Sequence, residues 1–231
     1  MKKFKHLLTA LLSLCIILTL LTPVNAYAAK KPKLNKTSIT VTSEKPVQLK
    51  VLNSTSKWKW KSSNGKIADV NSYGYVSAVK VGTCKVTATC GKKKLTCKVT
   101  VKQTDAENIY EISQWLCETM WNKGLCDLRD YYSTGRDSCG NKMNVDNTVK
   151  QFNKEYKKVD KYNKIINQLK GNKYKNLKTN WKKTITEMEK LHDQVNEIDW
   201  SQCPKDDEAF DTTQFQSYFN DLYELMCDLS Y

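Results

Sequence analysis

Two histidines stand in the 231-residue chain, His6 and His192. Any Ser-His-Asp or Cys-His relay outside the first residues must therefore run through His192, and there is no Gly-x-Ser-x-Gly turn and no phosphate-cradling glycine loop. A carboxylate-bridged metal bundle needs Glu-x-x-His on two helices. Glu189 and His192 supply one such match, and a solvent-facing imidazole beside Met188, Leu191 and Val195 accounts for it. The carboxylates Asp193, Glu197 and Asp199, and the run Asp206, Asp207 and Glu208, fall at helix ends and in loops, where acids are solvated or cap. Asp211 ahead of Thr212 and Thr213 reads as such a cap. No catalytic, cofactor-binding or metal-ligating residue is assigned, no cofactor is expected, and the expectation is a non-enzyme.

The chemistry that remains is charge and thiol. Residues 30–102 hold 17 lysines, no arginine and two acids, a net +15, whereas residues 103–231 carry 18 basic residues against 22 acids, a net −4. Within the second half, residues 142–190 carry 14 lysines against 5 acids, while residues 193–231 carry Lys205 alone against 10 acids. Lysine is a point charge suited to anionic surfaces. Nine cysteines are present, and removing Cys15 with a leader leaves eight, an even number that an oxidising compartment permits to pair.

The elements that position these groups change character near residue 103. Before it, Val47, Leu49 and Val51 alternate with polar neighbours, as do Trp58 and Trp60, Val86 and Ala88, and Leu95, Cys97, Val99 and Val101, the period of half-buried strands. Asn64-Gly65, Tyr73-Gly74, Val81-Gly82 and Cys90-Gly91 supply tight reversals between them. Short strands with such turns predict one β-sandwich. Trp58 and Trp60, on alternate positions of what reads as a central strand, are expected to fill its core rather than to form a stacking platform. If they face inward, Lys57, Lys59 and Lys61 face outward, and Lys85 and Lys98 lie opposite the core-facing Val86 and Val99.

The same stretch carries Leu34-Asn35-Lys36-Thr37-Ser38, Trp60-Lys61-Ser62-Ser63-Asn64, Ile67-Ala68-Asp69-Val70, Gly74-Tyr75-Val76-Ser77-Ala78, Val79-Lys80-Val81-Gly82-Thr83 and Cys97-Lys98-Val99-Thr100-Val101. On these motifs residues 31–102 resemble the group 2 bacterial immunoglobulin-like domain, a module that serves as spacer or adhesive unit in extracellular proteins. The resemblance implies that the strands bearing Lys57, Lys59, Lys61, Lys85 and Lys98 share a sheet. The five then form one outward cationic face, extended by Lys92, Lys93 and Lys94 at a hairpin tip. It also implies that Cys97 is a buried core thiol.

Beyond residue 103 the period becomes about 3.6. Four amphipathic segments are expected over residues 105–132, 145–170, 173–199 and 211–231. The third is strictest, with Leu177, Trp181, Thr184, Met188, Leu191, Val195 and Ile198 stepping by four and three. The second reads Val145, Val149, Phe152, Tyr156, Val159, Tyr162, Ile166 and Leu169, and the fourth Phe215, Tyr218, Leu222, Leu225 and Leu229. The first is interrupted at Gly124. Connections as short as Gly171-Asn172 force antiparallel neighbours, so the fold class is an all-β immunoglobulin-like sandwich followed by an all-α up-down four-helix bundle over residues 105–231. In that arrangement Cys117 and Cys227 both fall about 22–24 Å from the same bundle end at 1.5 Å per residue. A Cys117–Cys227 disulfide follows, with a further bond among Cys126, Cys139 and Cys203.

Lys2, Lys3 and Lys5 precede an apolar run from Leu7 to Leu21, and Ala26-Tyr27-Ala28 offers small residues for a peptidase, so residues 1–28 read as a cleaved secretory signal. The run is shorter than the ~20 residues of a spanning helix, so no stable membrane insertion is expected after cleavage. Neither a lipoprotein cysteine nor a Leu-Pro-x-Thr-Gly sorting motif is seen, and nucleic acid is not expected as a partner of a secreted chain with two arginines. The expectation is a secreted, loosely wall-associated protein. Its sandwich binds an anionic wall or surface polymer, and its bundle presents a protein-binding face. The alternative is a structural spacer with an assembly bundle and no polymer binding.

Overall fold

The computed structural model describes residues 30–205 and 209–230; the expected signal segment and the acidic run at 206–208 lie outside the described residues. Nine strands come first: β1 Lys33–Leu34, β2 Ser38–Val41, β3 Val47–Gln48, β4 Val51–Leu52, β5 Lys59–Ser62, β6 Ala68–Val70, β7 Tyr75–Ala78, β8 Gly82–Cys90 and β9 Lys93–Val101. They form a four-stranded sheet in the order β2-β9-β8-β5, facing a three-stranded sheet β3-β7-β6 and a short β1-β4 pair. β8 and β9 are the long central hairpin, and β2 runs parallel to β9. Leu49, Ala68, Val76, Val86, Ala88, Cys97 and Val99 are completely buried between the sheets. The alternation of the sequence has thus become an inside and an outside.

Trp58 and Trp60 are half-buried and pack against this core, but β5 is an edge strand, not a central one. Trp60 rests on Gly74, whose φ of 80° lies in the left-handed region. A side chain there would run into the Leu49 carbonyl oxygen and the Trp60 ring, so glycine meets both the conformational and the steric demand.

β9 passes into helix with only Lys102, Gln103 and Thr104 between. Thr104 opens α1 (Asp105–Gln114) with a reciprocal capping box: its hydroxyl accepts from the Glu107 N–H, and the Glu107 carboxylate accepts from the Thr104 N–H. Four helical segments follow, as expected, each with a difference of detail. The first does not stop at Gly124. It continues from α1 as a π-helix over Trp115–Cys126 and then as α2 (Asp127–Thr134). Its buried residues Ile112, Leu116, Met120, Gly124, Leu128 and Tyr132 recur every four positions. In a 3.6-residue helix that spacing drifts about 40° per step, and the wider i→i+5 winding keeps the stripe on the bundle. Gly124 is buried in this stretch, and the position needs glycine because a Cβ there would come 2.8 Å from the Phe152 ring.

The second segment is broken, into α3 (Val145–Tyr156) and α4 (Val159–Gln168), with Lys157 and Lys158 in the turn. The spacing Tyr156, Val159, Tyr162, two steps of three in succession, marks the place. The third, α5 (Lys175–Glu197), buries its stripe from Leu177 to Val195, leaving Ile198 half-buried just past its end. The buried hydroxyl of Thr184 donates to the Asn180 carbonyl and reaches the Tyr218 carbonyl. The fourth, α6 (Thr213–Ser230), starts where Asp211 accepts from the Thr213 N–H at 2.8 Å. Its core is Phe215, Phe219, Leu222 and Met226, so Phe219 and Met226 take the central places expected of Tyr218 and Leu225. α6 packs on both α1 and α5, the π segment packs on α3, and α4 touches α1 and α5. Glu111 meets Lys161 while Gly124 meets Phe152, and Asn153 meets Asn196 while Asn163 meets Trp181, so numbering falls along one helix as it rises along the next, the antiparallel neighbours of an up-down bundle.

Candidate polymer-binding face

The outward side of β2-β9-β8-β5 is built by register. Across the sheet Lys59 stands opposite Thr89 and Thr89 opposite Lys94; Lys61 stands opposite Thr87 and Thr87 opposite Thr96. Lys85 stands opposite Lys98, which stands beside Ser38, and Thr83 opposite Thr100, beside Thr40. Residues facing each other across a ladder share a side of the sheet, and the alternate positions Cys84, Val86, Ala88, Cys97 and Val99 are buried. The outer side is therefore lysine, threonine and serine throughout, with no acid, arginine or aromatic among those twelve positions. Expected neighbours Lys59, Lys61, Lys85 and Lys98 are brought together, and Lys57 is exposed just ahead of β5.

The hairpin tip divides its three lysines. Lys94 is on the outer face in register with Thr89, Lys92 is in the turn, and Lys93, opposite Cys90, takes the core-side alternation at the exposed tip. None of these eight lysines takes part in an ion pair among the described residues. Lys85 directly opposite Lys98 is a like-charge pair, which disfavours the sheet. The hydroxyl residues between the lysines are what the sequence reading passed over, though the same alternation that placed the lysines places them.

The cysteine assignments fare differently. None of the eight cysteines from Cys84 to Cys227 is in a disulfide, so neither the expected Cys117–Cys227 bond nor the further bond expected among Cys126, Cys139 and Cys203 is formed. Cys117 and Cys227 nonetheless stand near one another, since the Tyr223 hydroxyl lies beside both thiols. Burial raises the Cys117 thiol above its ordinary range, and the neighbouring Glu118 adds to this. Cys126 sits beside Ser138, next in sequence to Cys139, with the Arg129 guanidinium 3.4 Å from its sulfur, and burial raises it too. Cys203 packs against the bundle core just before Lys205, whose N–H donates to the Tyr132 carbonyl. Cys97 is completely buried, and burial pushes its thiol up.

The bundle surface is segregated by sign as the sequence indicates. The exposed Asp221, Glu224 and Asp228 on α6 are in no ion pair among the described residues. Between helices, the Lys161 ammonium reaches Glu111 at 2.8 Å and, with Gln103 and Tyr162, holds that carboxyl below the usual carboxylate range. His192 stacks on Tyr156 at 3.8 Å, not toward a metal cluster, and no group of three or more His, Cys, Asp or Glu among the described residues could hold a metal ion. No described helix is long and apolar enough to cross a membrane.

At the junction of the two units, Ser43 Oγ donates to Glu107 Oε1 at 2.8 Å. The Thr104 N–H and this hydroxyl hold the Glu107 carboxyl low. A groove of about 520 Å³ lies beside it, lined by Val79, Val81, Val101 and Tyr110 among others.

Comparison with curated proteins finds none that matches. Among solved structures, an intimin mutant of EHEC O157:H7 is 18% identical, covering 50% of this chain and 74% of that one with a TM-score of 0.30, a likeness too low to carry an argument. The family model of the bacterial Ig-like domain (group 2) matches residues 33–101, the span of all nine strands. The sandwich that carries the lysine face is a bacterial Ig-like domain of group 2.

Proposed function

We propose that this is a secreted, non-catalytic surface or matrix protein whose Ig-like domain holds an anionic wall or surface polymer while the helical bundle presents a protein-binding face. The observation that carries the reading is the uncompensated lysine face, above all Lys85 against Lys98. A sheet selected only for stability gains nothing from opposing like charges with no acid nearby. An anionic chain laid over the sheet removes that repulsion. Each exposed charge pair contributes only about 0–1 kcal/mol, so affinity arises from many contacts along one polymer.

Retention on purified cell walls, measured against salt, tests this. Exposed charges are screened over ~8 Å at physiological ionic strength, so retention falls steeply with added salt. The variant Lys59→Glu/Lys85→Glu/Lys98→Glu elutes earlier and with a flatter salt dependence. Unchanged retention of the variant rejects polymer binding by this face.

A second reading, a spacer carrying an assembly bundle, is favoured by the junction. Three residues separate β9 from α1, and the contact between Ser43 and Glu107 bridges the two units. It becomes the account of the molecule if the triple variant behaves as the parent.

A further inference from the structure

Resting on the polymer reading, we infer that the face selects anionic polymers whose repeat also carries hydroxyl groups, polyol phosphates or uronate glycans, over polyanions at large. The register interleaves the two kinds of group. Thr87 lies between Lys61 and Thr96, and Thr89 between Lys59 and Lys94. Neighbouring strands are about 4.8 Å apart and alternate residues about 6.8 Å apart along a strand, so every ammonium on these rows has a hydroxyl within one strand spacing. Thr87 and Thr96 exchange one weak contact, Oγ1 to Oγ1 at 3.4 Å, and the hydroxyl of Thr89, whose backbone is paired in the ladder, makes no side-chain hydrogen bond among the described residues.

A hydroxyl is both donor and acceptor. Such a grid therefore meets a ligand that alternates anions, which only accept, with alcohols, which do both. A polyanion without hydroxyls uses the ammonium groups and leaves the threonines to water. A protein partner is disfavoured by the same surface, because the tryptophan, tyrosine and arginine that anchor protein interfaces are absent from it. Lysine without arginine also removes the planar fork that would single out a bidentate oxyanion, leaving selectivity to the hydroxyls.

The test compares the full secreted chain with two variants. Thr87→Val/Thr89→Val/Thr96→Val removes three hydroxyls while keeping β-branched shape and strand preference, and Lys59→Glu/Lys85→Glu/Lys98→Glu reverses the charge. Affinity is measured at one ionic strength for poly(glycerol phosphate), polygalacturonate, inorganic polyphosphate and polyacrylate. The expected result is a loss on the order of tenfold or more for the valine variant on the hydroxylated polymers, with polyphosphate and polyacrylate unchanged. A loss on one hydroxylated polymer alone also supports the inference and names phosphate or uronate as the source. Equal loss on all four probes, or none on any, overturns the hydroxyl selectivity; if the glutamate variant still loses affinity, the polymer reading stands. Should the glutamate variant bind all four as the parent does, both fall together.

Discussion

Burial and a neighbouring carboxylate decide the behaviour of the two tyrosines that face the bundle interior. Tyr162 lies against Trp115 with ring centroids 4.7 Å apart and donates to Glu111, and Tyr156 is covered by His192. Burial first, then Glu111 for Tyr162 and Glu189 and Asp193 for Tyr156, push both phenols up to about 12. Their neutral forms are the ones the fold favours. With unfolded values near 10, the stability they contribute is fully present below pH ~10 and is lost as pH rises from there towards 12. In a near-ultraviolet titration of tyrosinate, two tyrosines should ionise late and together with loss of helicity. Normal titration of every tyrosine while the helices persist would refute this placement.

Among the elements, the first helical segment is the one that departs from simple periodicity, and its π winding sets where its thiols stand. Cys117 and Cys227 both stand beside the Tyr223 hydroxyl, which puts the two thiols near one another even though Gly124 is no break. Exchange with an oxidised dithiol reagent should join them, each forming one sulfur–sulfur bond to the other while the reagent leaves as its dithiol. Non-reducing peptide mapping should then recover the two cysteines in one linked peptide. Their recovery in separate alkylated peptides would show that the helices hold them beyond the ~7 Å Cα separation a disulfide spans.

At the scale of the molecule, two cores of different kind lie in sequence. The sandwich core from Leu34 to Val101 and the bundle core from Ile109 to Met226 are separate clusters, which predicts separable unfolding. Leu191, 2% exposed, is the probe: Leu191→Asp buries an unpaired carboxylate at a cost of several kcal/mol, comparable with the ~5–15 kcal/mol stability of a domain. Helical circular dichroism should collapse while the sandwich stays folded, as followed by amide protection of β8 and β9. Full helicity in the variant would mean that the α5 stripe is not the bundle's core.

Local pattern was enough for much of this. Alternation of Val86, Ala88, Cys97 and Val99 with Lys85, Thr87 and Lys98 determines two faces, because a strand turns successive side chains to opposite sides. The four-and-three steps from Leu177 to Val195 likewise determine one buried stripe on α5. The charge imbalance of the sandwich is a matter of composition alone. Tertiary structure decided what depends on neighbours distant in sequence. It put Lys85 opposite Lys98 and Thr87 between Lys61 and Thr96, because register is a property of paired strands. It sent β5 to the edge of its sheet, kept the first helix running through Gly124 against Phe152, and broke the second at Lys157. A helix's winding and ends answer to the helices packed beside it as much as to its own residues.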